Sequence, residues 1–333
     1  MGVAIRDLLA DCREPVAWES LAGIAAVDAH NALYQFLTII RQPDGTPLMS
    51  ADGRVTSHLS GILFRTVNFM EKGIRPVFVF DGAPPDLKLD TVNHRREIRE
   101  RAGIAWRDAL EAGDIKEAQK QAGASSRIDA FILETSKELL GLLGIPWVQA
   151  PSEGEAQAAY MAQRGSVRYT VSQDYDSLLF GTPLLVRNLT VSGRRRARGR
   201  TIVVAPERIA LSGLLDCLQI SREELIEIGI LVGTDYNPGI RGVGGKTALK
   251  IVRNGEFAAT LQEKLPGFDP APIFEFFLHP PVTDDYALEW SAPDNEGIVS
   301  MLCDVYDFSE ERVAGALEKL QTKTMQKTLD QWF

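Results

Sequence analysis

The chain has 333 residues, 45% hydrophobic and 24% charged, enough apolar material for a real core. No apolar run reaches the ~18 residues of a membrane helix, and Arg6 and Asp7 interrupt the opening apolar stretch, so neither a membrane span nor a secretory signal is expected. The net charge of −9 argues by its sum against a polyanionic partner, but the basic residues are clumped, at Lys88, Arg95, Arg96, Arg99 and Arg101 and at Arg194, Arg195, Arg196, Arg198 and Arg200.

In chain order, Leu21–Val27 is an apolar run of strand length that stops at Asp28. A helical spacing follows at Leu33, Phe36, Leu37 and Ile40. Thr56–Lys72 predicts an amphipathic helix with Leu59, Leu63, Val67 and Met70 on one face. Arg75–Phe80 is a second strand, ended by Asp81 and the breaker Gly82-Ala83-Pro84-Pro85. From Asp86 to Ser126 the sequence is charged and poor in large aliphatics. It predicts helices projecting from the sheet, broken at Gly103, Gly113 and Gly123. Ile128–Leu143 returns to an apolar helical stripe, and Val167–Ser172 is a third strand with Asp174 and Asp176 just beyond it. Arg222–Val232, Lys246–Val252 and Phe308–Leu320 are further helices. Strands alternating with helices predict an α/β fold with a mostly parallel central sheet flanked by helices. Such sheets bind ligands at the carboxyl ends of their strands, and all three strands deliver an Asp there.

Seven acids stand out: Asp28, Asp81, Glu153, Glu155, Asp174, Asp176 and Asp235. Singly, each has an ordinary explanation. An Asp after a strand is often a helix cap, and Ser152-x-x-Glu155 spells a capping box. Jointly, like charges gathered at one sheet edge repel unless cations stand among them. Oxygen-only ligands suit Mg²⁺ or Mn²⁺ rather than Zn²⁺. Seven acids suit two ions, which at ~4 Å apart clamp the attacking and leaving oxygens of a phosphodiester. Nucleophilic serine or cysteine chemistry lacks a signature, and His30, His58, His94 and His279 read as surface or structural residues. Cys12, Cys217 and Cys303 are odd in number and far apart, which suits a reducing interior and neither a disulfide framework nor a zinc knuckle.

Gly239-Ile240-Arg241-Gly242-Val243-Gly244-Gly245-Lys246-Thr247 is similar to a phosphate-binding P-loop, but the glycine required five residues before Gly245 is Ile240. It reads instead as a tight turn between two helices. Gly242 and Gly244 let the backbone approach a phosphate, and the second helix offers N–H groups to it. Lys246, Lys250 and the nearby Asp235 favour a DNA backbone over a plain helix–helix turn. The Arg194–Arg200 run falls in a β-hairpin or loop, either on template DNA or simply solvated.

Together these residues resemble the flap endonucleases, the structure-specific 5′ nucleases of replication and repair. The marks are Val27-Asp28-Ala29, Phe78-Val79-Phe80-Asp81-Gly82-x-Pro84-Pro85, Pro151-Ser152-Glu153-Gly154-Glu155-Ala156-Gln157, Asp174-Tyr175-Asp176, and Gly233-Thr234-Asp235-Tyr236 leading into Ile240-Arg241-Gly242-Val243-Gly244. They stand in order along nearly the whole chain. The resemblance implies a PIN-like 5′ nuclease core with a site for two Mg²⁺ (Mn²⁺ substituting) built from all seven acids. It also implies a helical cap through which a free 5′ strand passes, and a helix–two-turn–helix that grips duplex DNA and holds K⁺. Lys88 and Arg95 match the cap's two basic residues that reach the scissile phosphate. Tyr34 matches an aromatic on which a displaced base stacks, and Gly2 matches the family's N-terminal glycine. The implied organisation is a nuclease region at 1–98 and 129–258, a cap at 99–128, a helical region at 259–325 and a clamp box at 326–333. His94 stands in the cap where Lys is common, and no basic tail follows the last motif, as in the archaeal branch.

The implied activity is Mg²⁺-dependent 5′ flap cleavage with 5′–3′ exonuclease activity, by an intracellular monomer with no membrane partner, in replication (Okazaki fragment maturation) and repair. Alternatives are a relative that cuts gaps, bubbles or RNA, and a non-catalytic junction scaffold. The final Gln326-Lys327-Thr328-Leu329-Asp330-Gln331-Trp332-Phe333 resembles the box by which replication proteins bind the sliding clamp (PCNA), with Gln326, Leu329, Trp332 and Phe333 as its contacts. The competing reading is a terminal helix packed on the core.

Overall fold

The structure, a computed structural model, describes residues 2–42, 44–191, 193–197 and 200–330. Side chains are described for these except Asp90, Asn93, Gln119, those between 193 and 203, and those from 321 onward. The strands are β1 (Glu14–Pro15), β2 (Gly23–Asp28), β3 (Ile74–Phe80), β4 (Trp147–Gln149), β5 (Tyr169–Val171), β6 (Leu184–Arg187), β7 (Gly193–Ala197), β8 (Arg200–Val204) and β9 (Glu207–Ala210). The helices are α1 (Ala29–Ile39), α2 (Ser57–Glu71), α3 (Leu89–Glu111), α4 (Ile115–Ala124), α5 (Ala130–Leu142), α6 (Gly154–Gln163) and α7 (Asp176–Leu179). Then follow α8 (Leu211–Leu218), α9 (Arg222–Val232), α10 (Gly245–Arg253), α11 (Phe257–Lys264), α12 (Ala271–Leu278), α13 (Asn295–Val299) and α14 (Glu310–Asp330). Among the described residues, no helix is long and apolar enough to cross a membrane.

One sheet runs in the order β1-β9-β6-β5-β2-β3-β4. Its five strands from β6 to β4 are parallel, while β9 and β1 add an antiparallel edge. The mostly parallel α/β fold expected from the alternation is therefore present. Ala25, Ala26 and Val27 are fully buried, as a central parallel strand covered on both faces requires. From β2 the chain moves to β3 and β4 on one side, then returns to β5 and β6 on the other. That reversal is a topological switch point, where open α/β sheets leave a crevice at their strand ends.

The expected stripe on α2 is real. Leu59, Leu63 and Val67 are buried in the core shared with α1, α5 and α14, each contributing roughly 2 kcal/mol of burial. A second core gathers the N-terminal segment with α8, α9, α10 and α12. The third expected strand, Val167–Ser172, is β5, shortened to Tyr169–Val171, while β4, β6 and β9 hold three or four residues each, too few for a periodicity of their own to single them out.

The segment after Asp86 departs from expectation in one respect. α3 continues straight through Gly103, and α4 contains Gly123. Only Gly113 breaks the run, at φ +70° in the turn between the two helices. A glycine weakens a helix by about 1 kcal/mol but does not end it when flanking residues favour helix. The two helices pack through small residues: Ala102, Ala109, Ala118 and Ala122 are buried. α14 also runs past the expected Leu320, as far as Asp330.

Candidate nuclease site

β2 and β3 pair in parallel with Asp28 beside Val79, so Asp28 and Asp81 leave the sheet at the same edge. β5 flanks β2 from the other side and carries Asp174 and Asp176 to that edge. Asp28 does cap a helix: its Oδ1 accepts the Asn31 N–H (2.9 Å) at the start of α1. Its ordinary role and its place in the basin coexist. Asp81 Oδ1 accepts the Gly154 N–H (2.8 Å). A Cβ at Gly154 would lie 2.7 Å from that oxygen, so only glycine lets α6 begin against the carboxylate.

The capping box read at Ser152 is not formed. Glu153 is the N-cap of α6 and makes no side-chain cap bond. Glu155 turns inward and accepts the hydroxyls of Ser172 (2.8 Å) and Ser177 (2.9 Å), donors that β5 and α7 place at the same strand ends. The capping box that does form joins Ser221 and Glu224 at the start of α9.

Asp174 Oδ1 accepts the Gly2 N–H (3.0 Å) and its Oδ2 accepts Asn31 Nδ2 (3.2 Å). Asp176 Oδ1 accepts the Val3 N–H (2.6 Å). Asp235, buried just after α9, faces two cations. Lys88 Nζ lies 2.6 Å from Glu153 and 3.4 Å from Asp235, and Arg95 pairs with Asp235. Lys88 sits in a separate single turn, Asp86–Lys88, before α3. The two bases therefore do not share a continuous helix, yet both reach Asp235.

Burial raises the proton affinity of these carboxylates, and their neighbours add to it. Asp28 is pushed up to about 8 by burial and then by the charge of Asp81. Asp176 is pushed up to about 7 by burial and then by Asp235. Glu155 is driven well above the ordinary range by burial and by Asp28, Asp174 and Asp176. Glu153 is raised by burial despite Lys88. At Lys88 burial opposes the charge, but Glu153 and Asp235 outweigh it and hold the ammonium above the ordinary lysine value. All seven acids thus form one electrostatic unit with more negative charge than Lys88 and Arg95 offset. Among the described residues, no three His, Cys, Asp or Glu side chains stand ready around one ion-sized point. The donor set, all oxygen, fits a hard divalent cation.

Several residues at the basin carried no sequence signal of their own. His30 had read as ordinary, yet its Nδ1 accepts the Asp81 N–H (3.1 Å) and lies 3.4 Å from the Asp81 carboxylate. His58 is structural as expected: it is buried, bonded to Thr135, and pushed down to about 3 by burial. Asn31 could have been found three residues into the helix that Asp28 caps. Ser172 and Arg187 could not. Arg187, from β6, donates to the Gln173 carbonyl (3.1 Å) and stacks over Tyr175 at 4.1 Å, bracing the loop that carries Asp174.

Tyr34 is 38% exposed on α1. The glycine turn joins α9 to α10, with Gly239 and Gly242 at positive φ and Gly244 as an N-cap without a side-chain bond. Gly242, Gly244 and Lys246 are exposed. The arginine run forms a two-stranded hairpin of β7 and β8; its side chains, and Arg198 altogether, lie outside the described residues. Gln326 and Leu329 fall on the backbone of α14, while Trp332 and Phe333 lie outside the described residues.

Comparison with known proteins agrees with this arrangement. The XPG N-terminal domain matches residues 1–102 and the XPG I-region matches 144–235. The flap endonuclease 1 of Methanoculleus marisnigri is 72% identical over 333 residues, covering all of both chains. That of Pyrococcus furiosus is 54% identical over 340 residues, covering 100% of this chain and 99% of that protein. The structure of flap endonuclease-1 from Methanococcus jannaschii superposes with a TM-score of 0.76 at 42% identity, covering 95% of this chain and 97% of that one. The catalytic core of Rad2 in complex with DNA substrate shares the fold, at a TM-score of 0.70 and 24% identity over 96% of this chain and 100% of that one. Fold and acid basin together define a nuclease of the XPG class. Within that class, full-length identity decides the group: the chain belongs to the flap endonuclease 1 family.

Proposed function

We propose that the chain is a Mg²⁺-dependent, structure-specific endonuclease that cuts 5′ flaps at branched DNA, with 5′–3′ exonuclease activity, in replication and repair. The observation that supports this best is the joint placement of seven acids and two bases. Lys88 and Arg95 lie on the acids Glu153 and Asp235, so one basin offers both metal-type ligands and anion-type ligands. Asp28, Asp81, Glu153, Glu155, Asp174, Asp176 and Asp235 would hold the ions, which when bound would supply an activated water and neutralise charge on the phosphodiester.

The protein's own groups do the rest. Incoming phosphate oxygens compete with Glu153 and Asp235 for Lys88 and Arg95, which then stabilise charge shifting onto the leaving oxygen. The Gly2 and Val3 amides keep Asp174 and Asp176 aimed. Tyr34 offers a ring to an unpaired base. The α3–α4 arch, the cap of the proposed organisation, admits a free 5′ strand but not a duplex. The turn around Gly242, Gly244 and Lys246, with K⁺ as its partner ion, holds duplex backbone without reading sequence. Residues 326–333 engage a sliding clamp.

The test is cleavage of labelled double-flap, bubble, gapped duplex and single-stranded RNA substrates with Mg²⁺, with an EDTA control. Cutting at the base of the flap, abolished by EDTA, is expected. Preference for bubble, gap or RNA would move the substrate class, and EDTA-resistant cutting would remove the metal.

A further inference from the structure

The N-terminal segment touches two functional regions at once. At one end, the Gly2 and Val3 N–H groups donate to Asp174 and Asp176. The approach is so close that a Cβ on Gly2 would lie 2.8 Å from Asp176 Oδ1. At the other end, Leu8 fills the space beside Gly245, the first residue of α10. A Cβ there would lie 2.9 Å from Leu8 Cγ and 3.7 Å from Ile5 Cα. Between the ends the segment is stiff. Ile5 N–H donates to the Val3 carbonyl (3.0 Å), Leu8 N–H to the Ile5 carbonyl (2.9 Å) and Leu9 N–H to the Arg6 carbonyl (3.2 Å). Val3, Ile5, Leu8 and Leu9 are buried in the same apolar cluster as Ile240, Ala248 and Val252 of the turn and α10.

We infer that Gly2–Leu9 is a strut that couples duplex engagement at the glycine turn to the placement of Asp174 and Asp176, with Leu8 and Gly245 as its positioning residues. This rests on the DNA-cleaving role proposed above. The geometry gives the strut two faces to work between. Gly244 and Lys246 are exposed where a phosphate arrives, while Gly245 between them is buried against Leu8. A load on the first turn of α10 therefore bears on Leu8. Packed interiors shift as units rather than compress, so movement at Leu8 reaches the Gly2 and Val3 amides. Those amides make charge-assisted bonds to carboxylates, and a misplacement of about 1 Å at such a site costs about a hundredfold in rate.

The experiment compares two flap substrates, one with a long downstream duplex and one with a duplex too short to reach the turn. Single-turnover cleavage is measured with Mg²⁺, flap affinity with Ca²⁺, melting temperature without DNA, and hydrogen exchange of the Val3 amide with and without the long duplex. In the wild type the long duplex accelerates cleavage and protects Val3. In Leu8→Ala the rate ratio between long and short duplex falls about tenfold, flap affinity changes by less than about threefold, and duplex binding no longer protects Val3. Leu8→Met, which keeps the volume, restores most of the ratio. Gly245→Ala, which pushes Leu8 aside from the other end, reproduces the loss and carries the test if Leu8→Ala melts at low temperature. Equal slowing on both substrates, or weaker binding at an unchanged rate, would overturn the strut. A wild type that cuts no flap would instead overturn the nuclease reading, and the Val3 exchange would still decide whether duplex and acids are coupled.

Discussion

The acid basin and the α3–α4 arch are neighbours built on opposite principles. The basin is buried and cross-braced: Asp28 and Asp176 are 6% and 4% exposed, and their oxygens accept backbone N–H groups, for Asp28 from its own helix cap and for Asp176 from distant Val3. The arch has a polar, solvated surface, a seam of alanines, and Leu89, Val92, Ile98 and Ile104 exposed along α3. Folding fixes the basin whether or not substrate is present. The arch packs on α1 and also reaches the basin through Lys88, just before α3, and Arg95, whose ion pairs a phosphate can replace. On the function proposed above, chemistry would sit on the stable part and selection of the strand on the part that can yield.

The sharpest way to break this comparison is to remove one member of the basin. Asp176→Ala is expected to lower single-turnover cleavage more than about a hundredfold, with flap affinity in Ca²⁺ nearly unchanged, because affinity comes from backbone contacts elsewhere. A loss of less than about tenfold would place Asp176 outside the chemistry. Next comes the tie between the two regions. Arg95→Ala is expected to slow the chemical step about tenfold or more while weakening binding less, since its charge matters most as phosphate charge shifts. Equal losses in binding and rate would make it a positioning contact.

A smaller effect tests the buried charge itself. Asp28 and Asp176 hold protons at about 8 and about 7 when folded, against an ordinary 3.8. Between the ordinary value and the folded one, such a carboxylate holds its proton only in the folded state, so the stability it contributes falls steadily as pH rises from about 4 to about 8 and levels off above. In EDTA the melting temperature should therefore fall by several degrees between about pH 5 and about pH 8 and level off above, and Mg²⁺ should restore it at the upper end. A flat profile, or no effect of Mg²⁺, would show that the basin is not charge-strained. The smallest effect on the isolated enzyme is expected from deleting Gln326–Phe333: cleavage stays nearly unchanged, while stimulation by the cognate clamp is lost. Lower stability and intrinsic activity with clamp binding intact would show a terminal helix that packs on the core.

What the sequence by itself determined was three of the strands with the helices around them and the class of the sheet, and it marked seven acids and two bases as candidates. Those signals are local. A buried strand, an amphipathic stripe and an Asp at a strand end are all written within one short window. It also carried Gly154 and Gly245 as letters without a reason, because the reason is another segment's atom close by. Only the tertiary structure decided that Glu155 faces two serines rather than its own helix end, and that His30 serves Asp81. The same holds for the path of α3 through Gly103 and for the N-terminal amides that reach acids more than 170 residues away. Each of these depends on which distant donors the sheet order brings together at one edge. A local pattern carries no record of that order, because the energy that fixes it comes from contacts formed only when the whole core closes.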